Sequence, residues 1–67
     1  MTVFVNNNSI NLTTVATLHQ VLEQQHLHEQ RGIAVAVNNH VIPKAEWQQK
    51  VLNNNDKITV IRATQGG

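Results

Sequence analysis

With 67 residues and no cysteine, the chain suffices for one small domain and excludes disulfides, thiolate metal sites and a cysteine nucleophile. Its five Lys/Arg and four Asp/Glu residues, a formal net charge of +1, are spread out and form neither a nucleic-acid-binding stripe nor a polybasic membrane arm. Since no segment resembles a signal peptide or reaches the roughly 20 apolar residues of a membrane span, we expect a soluble cytoplasmic protein.

The first element predicted along the chain is a β-hairpin. Its strands lie at 3–5, which holds Val, Phe and Val, and at 9–12, where polar and apolar residues alternate. The asparagines between them tolerate the left-handed backbone that a tight turn requires. The chain is therefore expected to fold back on itself here.

An amphipathic helix is predicted after the hairpin. The threonines at 13–14 are good helix caps, and the pattern that follows has helical spacing to about His26. Gly32, which suits a positive φ, is expected to end the loop beyond the helix. The apolar face predicted to cover one side of a sheet comprises Val15, Leu18, Val21 and Leu22.

A second hairpin is predicted in the middle of the chain. In 33–37, β-branched residues alternate with alanines, so one face of the strand carries large apolar side chains and the other carries only small ones. The two asparagines at 38–39 have the composition of a two-residue turn. Residues 40–42 are expected to form a short strand at a sheet edge, because Pro43 cannot donate to a ladder.

The last third of the chain is predicted to contain a helical turn and a final strand. Residues 44–49 suit the helical turn, and the polar cluster at 53–56 suits a loop. Alternation in 57–62 then predicts a strand with one buried side. The residues expected to be buried in this third are Trp47, Val51, Leu52, Ile58 and Val60.

Two hairpins that flank one helix predict an α+β, ubiquitin-like β-grasp fold. The first and last strands are left to pair in parallel at the centre of a mixed sheet of four to five strands, which packs on the helix. Residues 1–62 are expected to form this domain. Residues 63–67, Ala-Thr-Gln-Gly-Gly, are expected to form a flexible C-terminal tail.

The tail is where chemistry is expected. The rest of the chain shows no convincing acid/base pair and no phosphate-cradling glycine loop, so we do not expect a catalyst. Gly67 carries an α-carboxylate on a residue without a Cβ, and Gly66 and Gln65 provide its access to a narrow site. A carboxylate needs activation before a nucleophile attacks it, so a partner enzyme is expected to adenylate Gly67 with ATP.

The chain resembles the ubiquitin-like sulfur carrier family over its whole length, and within it the carriers that supply sulfur for the thiazole ring of thiamine. The second hairpin, followed by Glu46-Trp47, is the most specific part of this resemblance. Gln65 departs from the family, whose members often carry small or apolar residues before the glycines. The matching stretches are VFVNNNSI, TVATLHQVLEQQ, GIAVAVNNHVIPKAEW, NNNDKITVI and the final GG.

The resemblance implies a protein cosubstrate rather than an enzyme. Its partners would be a ubiquitin-activating-like adenylyltransferase that uses ATP, and a sulfur donor such as a cysteine desulfurase relay. A thiazole synthase would accept the sulfur from the thiocarboxylate of Gly67. The chain itself would bind no cofactor and would be a monomer when free.

A partner surface is predicted on the sheet face that points away from the helix. Alternation places apolar or small residues there, and exposed apolar patches often mark interaction sites, although isolated exposed apolar residues are also common. Arg62, just before the tail, could meet an acidic groove of the activating enzyme or simply be solvated. The predicted docking residues are Phe4, Ala34, Ala36, Thr59, Ile61 and Arg62.

The histidines are not expected to form a metal site. His26 and His28 flank Leu27 and could ligate a metal together with His19 or His40. Two ligands without a tight geometry do not define a site, however, and solvated histidines near a helix end are the favoured interpretation.

Three alternatives stay open. The small subunit of molybdopterin synthase would share the fold and the thiocarboxylate, but its relatives are usually longer and Pro-rich before the glycines. A ubiquitin-like modifier would form isopeptide bonds with lysines. A stand-alone β-grasp interaction domain would keep its function without Gly67.

Overall fold

One helix and five strands form the fold in the computed structural model, which describes residues 1–29 and 31–62. Their order along the chain is β, β, α, β, β, β, as predicted. No helix within these two ranges is long and apolar enough to cross a membrane. The elements are β1 (Thr2–Val5), β2 (Asn8–Asn11), α1 (Leu18–Gln24), β3 (Ile33–Val37), β4 (His40–Val41), a 3₁₀ turn (Lys44–Glu46) and β5 (Lys57–Arg62).

The strands form one mixed sheet in the order β2-β1-β5-β3-β4. Strand β5 is central, parallel to β1 and antiparallel to β3, and the two hairpins extend the sheet to its edges. The parallel pair forms because the helical connection carries the chain across one face before β5 enters the gap between the hairpins. This topology confirms the predicted β-grasp fold and the edge position of β4.

Pairs of asparagines form the tight turns of both hairpins. Asn6 and Asn7 have φ angles of 48° and 70°, and Asn38 and Asn39 have φ angles of 51° and 71°. Two consecutive left-handed residues match the twist of the paired strands, and asparagine tolerates this backbone better than most residues with a Cβ. Both predicted turns are confirmed, and Gly32 has the predicted positive φ, 71°.

The helix begins after Thr17, not after the threonines at 13–14. Thr17 Oγ1 accepts a hydrogen bond from the Gln20 backbone N–H at 3.2 Å, and Gln20 Oε1 accepts one from the Thr17 N–H at 2.8 Å. This reciprocal pair is a capping box, which satisfies two backbone donors at the helix start. The predicted cap is therefore wrong by at least three positions.

A short pairing with the last third of the chain keeps the residues before the helix extended. Thr17 forms a bridge with Val51, and the Leu52 N–H donates to the Ala16 carbonyl at 2.9 Å. Non-local hydrogen bonds here override the local helical pattern. Val15, predicted on the buried helix face, is consequently 70% exposed, and Val51, also predicted to be buried, is 51% exposed.

The helix ends at Gln24, two residues before the predicted end. His26 has a φ of 61°, and its N–H donates to the Glu23 carbonyl at 3.0 Å. The Leu27 N–H donates to the Leu22 carbonyl at 2.8 Å. These two bonds form a Schellman motif, in which a left-handed residue turns the chain away from the helix and its last carbonyls are satisfied.

The core lies between the helix and the inner face of the sheet. Trp47 is 2% exposed and donates from Nε1 to the Ile42 carbonyl at 2.8 Å. Its predicted burial is confirmed. It follows the 3₁₀ turn, which is shorter than the helical turn predicted over 44–49. The buried cluster comprises Val3, Val5, Leu18, Val21, Leu22, Val35, Val37, Trp47, Leu52 and Ile58, with Val60 packed against it.

Candidate functional site

The sheet face opposite the helix brings most of the predicted docking residues together. Residues paired across neighbouring strands share a face, and the residues adjacent to them in sequence belong to the core. Strand β5 lies at the centre of this face, with β1 on one side and β3 on the other. We call this surface the outer face, and it comprises Phe4, Ala34, Ala36, Val41, Lys57, Thr59 and Ile61.

Apolar side chains are exposed on the outer face. Ile61 is 54% exposed and Val41 is 67% exposed, while Phe4 is partly buried. Ala34 is exposed, but Ala36 is only 7% exposed and offers little surface of its own. The strand register places Ile61 beside Ala34 and Val41 beside Ala36. Phe4 lies at the other end of β5, beside Lys57. Exposed apolar residues on one face of a sheet often mark a docking site.

Val41 and Lys57 belong to the outer face although the sequence did not single them out for docking. The position of Val41 follows from its pairing with Ala36 in the β3–β4 hairpin. Lys57 pairs with Phe4 across the parallel strands. Alternation along 57–62 was the available signal for Lys57, because it places that residue on the same side as Ile61.

Arg62 lies on the opposite side of the sheet from Ile61. It pairs with Ile33, a partly buried residue that packs against the core. Alternation along β5 places Arg62 on the same side as Ile58 and Val60, although its own side chain is exposed. The structure thus separates Arg62 from the other predicted docking residues, and any contact it makes with a partner would lie beyond the outer face.

A groove of about 600 Å³ opens on the outer face beside the two asparagine turns. Two of its asparagines hold backbone groups of β5: Asn6 Oδ1 accepts from the Val60 N–H at 2.9 Å, and Asn38 Oδ1 accepts from the Lys57 N–H at 3.0 Å. The other two asparagines are exposed and take no part in these bonds. We call this the asparagine groove, and it is lined by Phe4, Asn6, Asn7, Asn38, Asn39, Lys57, Ile58 and Thr59.

Two histidine rings, one in the first turn of the helix and one beyond its C-terminal end, lie close together. The centroids of His19 and His28 lie 5.6 Å apart, with an interplanar angle of 74°. His28 Nε2 lies 3.9 Å from Glu29 Oε1, at the long limit of an ion pair. Within residues 1–29 and 31–62, no group of three or more His, Cys, Asp or Glu side chains is placed to hold a metal ion.

The predicted reactive residue and its access residues lie outside the part of the chain that the structure describes. These are Gly67, Gly66 and Gln65. Strand β5 ends at Arg62, directly after Ile61 of the outer face, so the described chain leads from that face towards residue 63.

Comparison with known proteins identifies the family. A family model described as the ThiS family matches residues 2–67, nearly the whole chain. The chain belongs to the ThiS family. This finding confirms the family resemblance predicted from the sequence, and the matched region includes the two terminal glycines.

Individual relatives of this ThiS-family chain match it in length and in fold. It is 28% identical over 67 residues to the sulfur carrier protein ThiS of Escherichia coli (strain K12), covering 100% of both chains. A crystal structure of the thiamine biosynthesis protein ThiS from Geobacter metallireducens superposes with a TM-score of 0.82 at 14% identity, covering 100% of both chains. A solution structure of a thiamine biosynthesis protein from the same organism gives a TM-score of 0.77 at 14% identity, covering 100% of this chain and 88% of the other. At this identity the two structures support the ubiquitin-like fold alone.

Proposed function

We propose that this chain is a sulfur carrier in thiamine biosynthesis and that the α-carboxylate of Gly67 is its reactive group. The observation that carries the proposal is the family match, which extends to residue 67. The end-to-end alignment with the sulfur carrier of Escherichia coli supports it. On this proposal the chain is a cosubstrate, and its partner enzymes perform the catalysis.

The proposed reaction begins with activation of the carboxylate. A carboxylate is a poor electrophile because its negative charge repels nucleophiles and oxide is a very poor leaving group. A ubiquitin-activating-like adenylyltransferase would transfer AMP from ATP to Gly67 and release pyrophosphate. The terminal sulfur of a persulfide, supplied by a donor such as a cysteine desulfurase relay, would then attack the acyl carbon and displace AMP. A thiol would reduce the resulting acyl disulfide, which releases the thiocarboxylate and leaves the donor sulfur in a disulfide with that thiol.

The product is a thiocarboxylate at Gly67. A thiazole synthase would take up its sulfur, and the carrier would return with an ordinary carboxylate. Gly67 and Gly66 suit this role because a residue without a Cβ fits where any side chain would clash. We place the carrier in the cytoplasm, as a monomer between encounters with its partners.

The outer face would dock on the activating enzyme and on the thiazole synthase in turn. Its exposed apolar residues, Ile61 and Val41 above all, would be covered in each complex. Because Ile61 lies two residues before position 63, docking of this face would bring the start of the C-terminal residues to the partner. The two enzymes would thus use the same surface at different times.

Intact-mass measurement tests the proposal. After incubation with the adenylating enzyme, ATP and a sulfur source, we expect the mass of the chain to rise by the exchange of one oxygen for one sulfur. A variant that lacks Gly67 should show no such change, which controls for sulfur added elsewhere. An unchanged mass with every cognate pair of enzymes would contradict the carrier function and leave a β-grasp interaction domain as the better interpretation.

A further inference from the structure

The asparagine groove contains the one charged residue among the outer-face positions that the structure describes. Lys57 pairs with Phe4 at the point where β1 meets β5, and both residues line the groove. The rest of the outer face is apolar or small and uncharged. A single cation on such a surface favours a partner that presents one negative charge at the matching point.

Other residues of the groove lining carry hydrogen-bond donors. The Lys57 ammonium offers three donors, and Thr59, whose side chain carries a hydroxyl, belongs to the same lining. Asn6 uses its Oδ1 to accept from the backbone of β5, which leaves its Nδ2 group as a donor. Asn7 and Asn39 are exposed at the rim and take no part in the bonds that hold the turns. Ammonium, hydroxyl and amide donors together suit a carboxylate, which accepts at two oxygens.

The shape of the groove favours a protein side chain over a small free anion. Its volume of about 600 Å³ is far larger than one carboxylate needs. It opens onto the outer face, and Phe4 belongs to both surfaces. An acidic residue on the surface of a partner protein would occupy the groove with its side chain and the adjacent backbone. Apolar residues beside it on the partner would cover the outer face.

We propose that the asparagine groove receives an Asp or Glu side chain of the adenylating enzyme. This inference rests on the proposed function, because every version of that function requires activation of Gly67 whichever acceptor takes the sulfur. Lys57 pairs with the incoming carboxylate, and the Thr59 hydroxyl and the groove amides other than that of Asn38, which is bonded to Asp56, orient it. The contact fixes the position in which the two proteins dock, while the apolar residues of the outer face contribute the buried area.

Binding measurements on charge variants test the proposal. The dissociation constant for the full adenylating enzyme is measured by titration calorimetry without ATP, for the wild type and for Lys57→Glu and Lys57→Gln. We expect Lys57→Glu to weaken binding about tenfold, Lys57→Gln to weaken it less, and both variants to lose part of the salt dependence. Arg31→Glu, the same charge change at an exposed loop position outside the groove, should stay within about twofold of the wild type.

Separate outcomes distinguish this inference from the proposed function. Equal dissociation constants for Lys57→Glu and wild type would overturn the inference, even if both chains acquire sulfur at Gly67. Loss of affinity on Lys57→Glu, restored by changing one acidic residue of the enzyme to lysine, would support it. If acetate alone shifts the NMR signals of the groove while Lys57→Glu leaves enzyme binding unchanged, the groove takes a free anion and the inference is wrong.

Discussion

Asp56 is a buried carboxylate that joins three parts of the chain. It is 7% exposed, and Oδ1 accepts from Asn38 Nδ2 at 2.9 Å while Oδ2 accepts from the Asn53 N–H at 2.7 Å. Its backbone carbonyl accepts from the Phe4 N–H at 2.9 Å. One residue therefore links β1, the β3–β4 turn and the loop before β5, directly behind the asparagine groove.

We expect Asp56→Ala to lower the free energy of unfolding by about 2–3 kcal/mol, because it removes two hydrogen bonds to a buried carboxylate. Urea unfolding followed by circular dichroism measures the change. Glu23→Ala, on the exposed side of the helix, is the control and should change stability by less than about 0.5 kcal/mol. A stability of Asp56→Ala equal to that of the wild type would show that these hydrogen bonds contribute nothing net.

At the scale of the element, the start of the helix shows how tertiary pairing overrides local pattern. The threonines at 13 and 14 have the right chemistry for a cap, yet Thr17 is the residue that forms the capping box. The bridge from Thr17 to Val51 fixes where the extended segment stops. Helix length is thus decided by contacts with residues far away in sequence.

We expect Thr17→Ala to destabilise the domain by about 1 kcal/mol, because the helix loses its side-chain cap. Thr14→Ala removes the same hydroxyl from an exposed position before the helix, so it should have an effect below about 0.5 kcal/mol. Thermal unfolding by calorimetry compares the two. A larger loss from Thr14→Ala than from Thr17→Ala would contradict the capping geometry described above.

At the scale of the whole molecule, the two faces of the sheet have different tasks. The inner face packs against the helix and forms the core, whereas the outer face leaves Ile61 and Val41 exposed. Exposed apolar residues contribute little to the stability of the free domain, and on the proposed function those of the outer face would contribute to association. We therefore expect that stability and binding can be changed separately in this fold.

We expect Ile61→Thr to weaken binding to the adenylating enzyme about tenfold while leaving stability nearly unchanged. The variant keeps a β-branched side chain in β5 but loses roughly 1.5 kcal/mol of apolar burial in the complex. Val15→Thr, which alters a more exposed residue outside the strands of the outer face, is the matched control. Titration calorimetry measures both affinities, and equal weakening by the two variants would remove the case for the outer face as the docking surface.

Much of the fold could be predicted because its signals are local. The asparagine pairs specify the hairpin turns through their tolerance of positive φ, and the alternation in residues 57–62 predicted β5 with its exact bounds. The candidate docking residues other than Arg62 followed from the same kind of alternation. Phe4 and Ile61 were assigned correctly to one face, since a period of two fixes the side of every residue in a strand.

Local sequence patterns were enough to predict the order of elements and the turn geometry, and the family model matches the sequence directly. The start of the helix depends on the tertiary structure, because hydrogen bonds between residues 16–18 and residues 50–52 compete with the local helical pattern. Alternation in β5 already implied that Arg62 lies on the opposite side from Ile61, whereas the strand register was needed to put Val41 beside Ala36. The asparagine groove also needed the fold, because its lining comes from two turns more than 30 residues apart, and sheet pairing alone brings them to one surface.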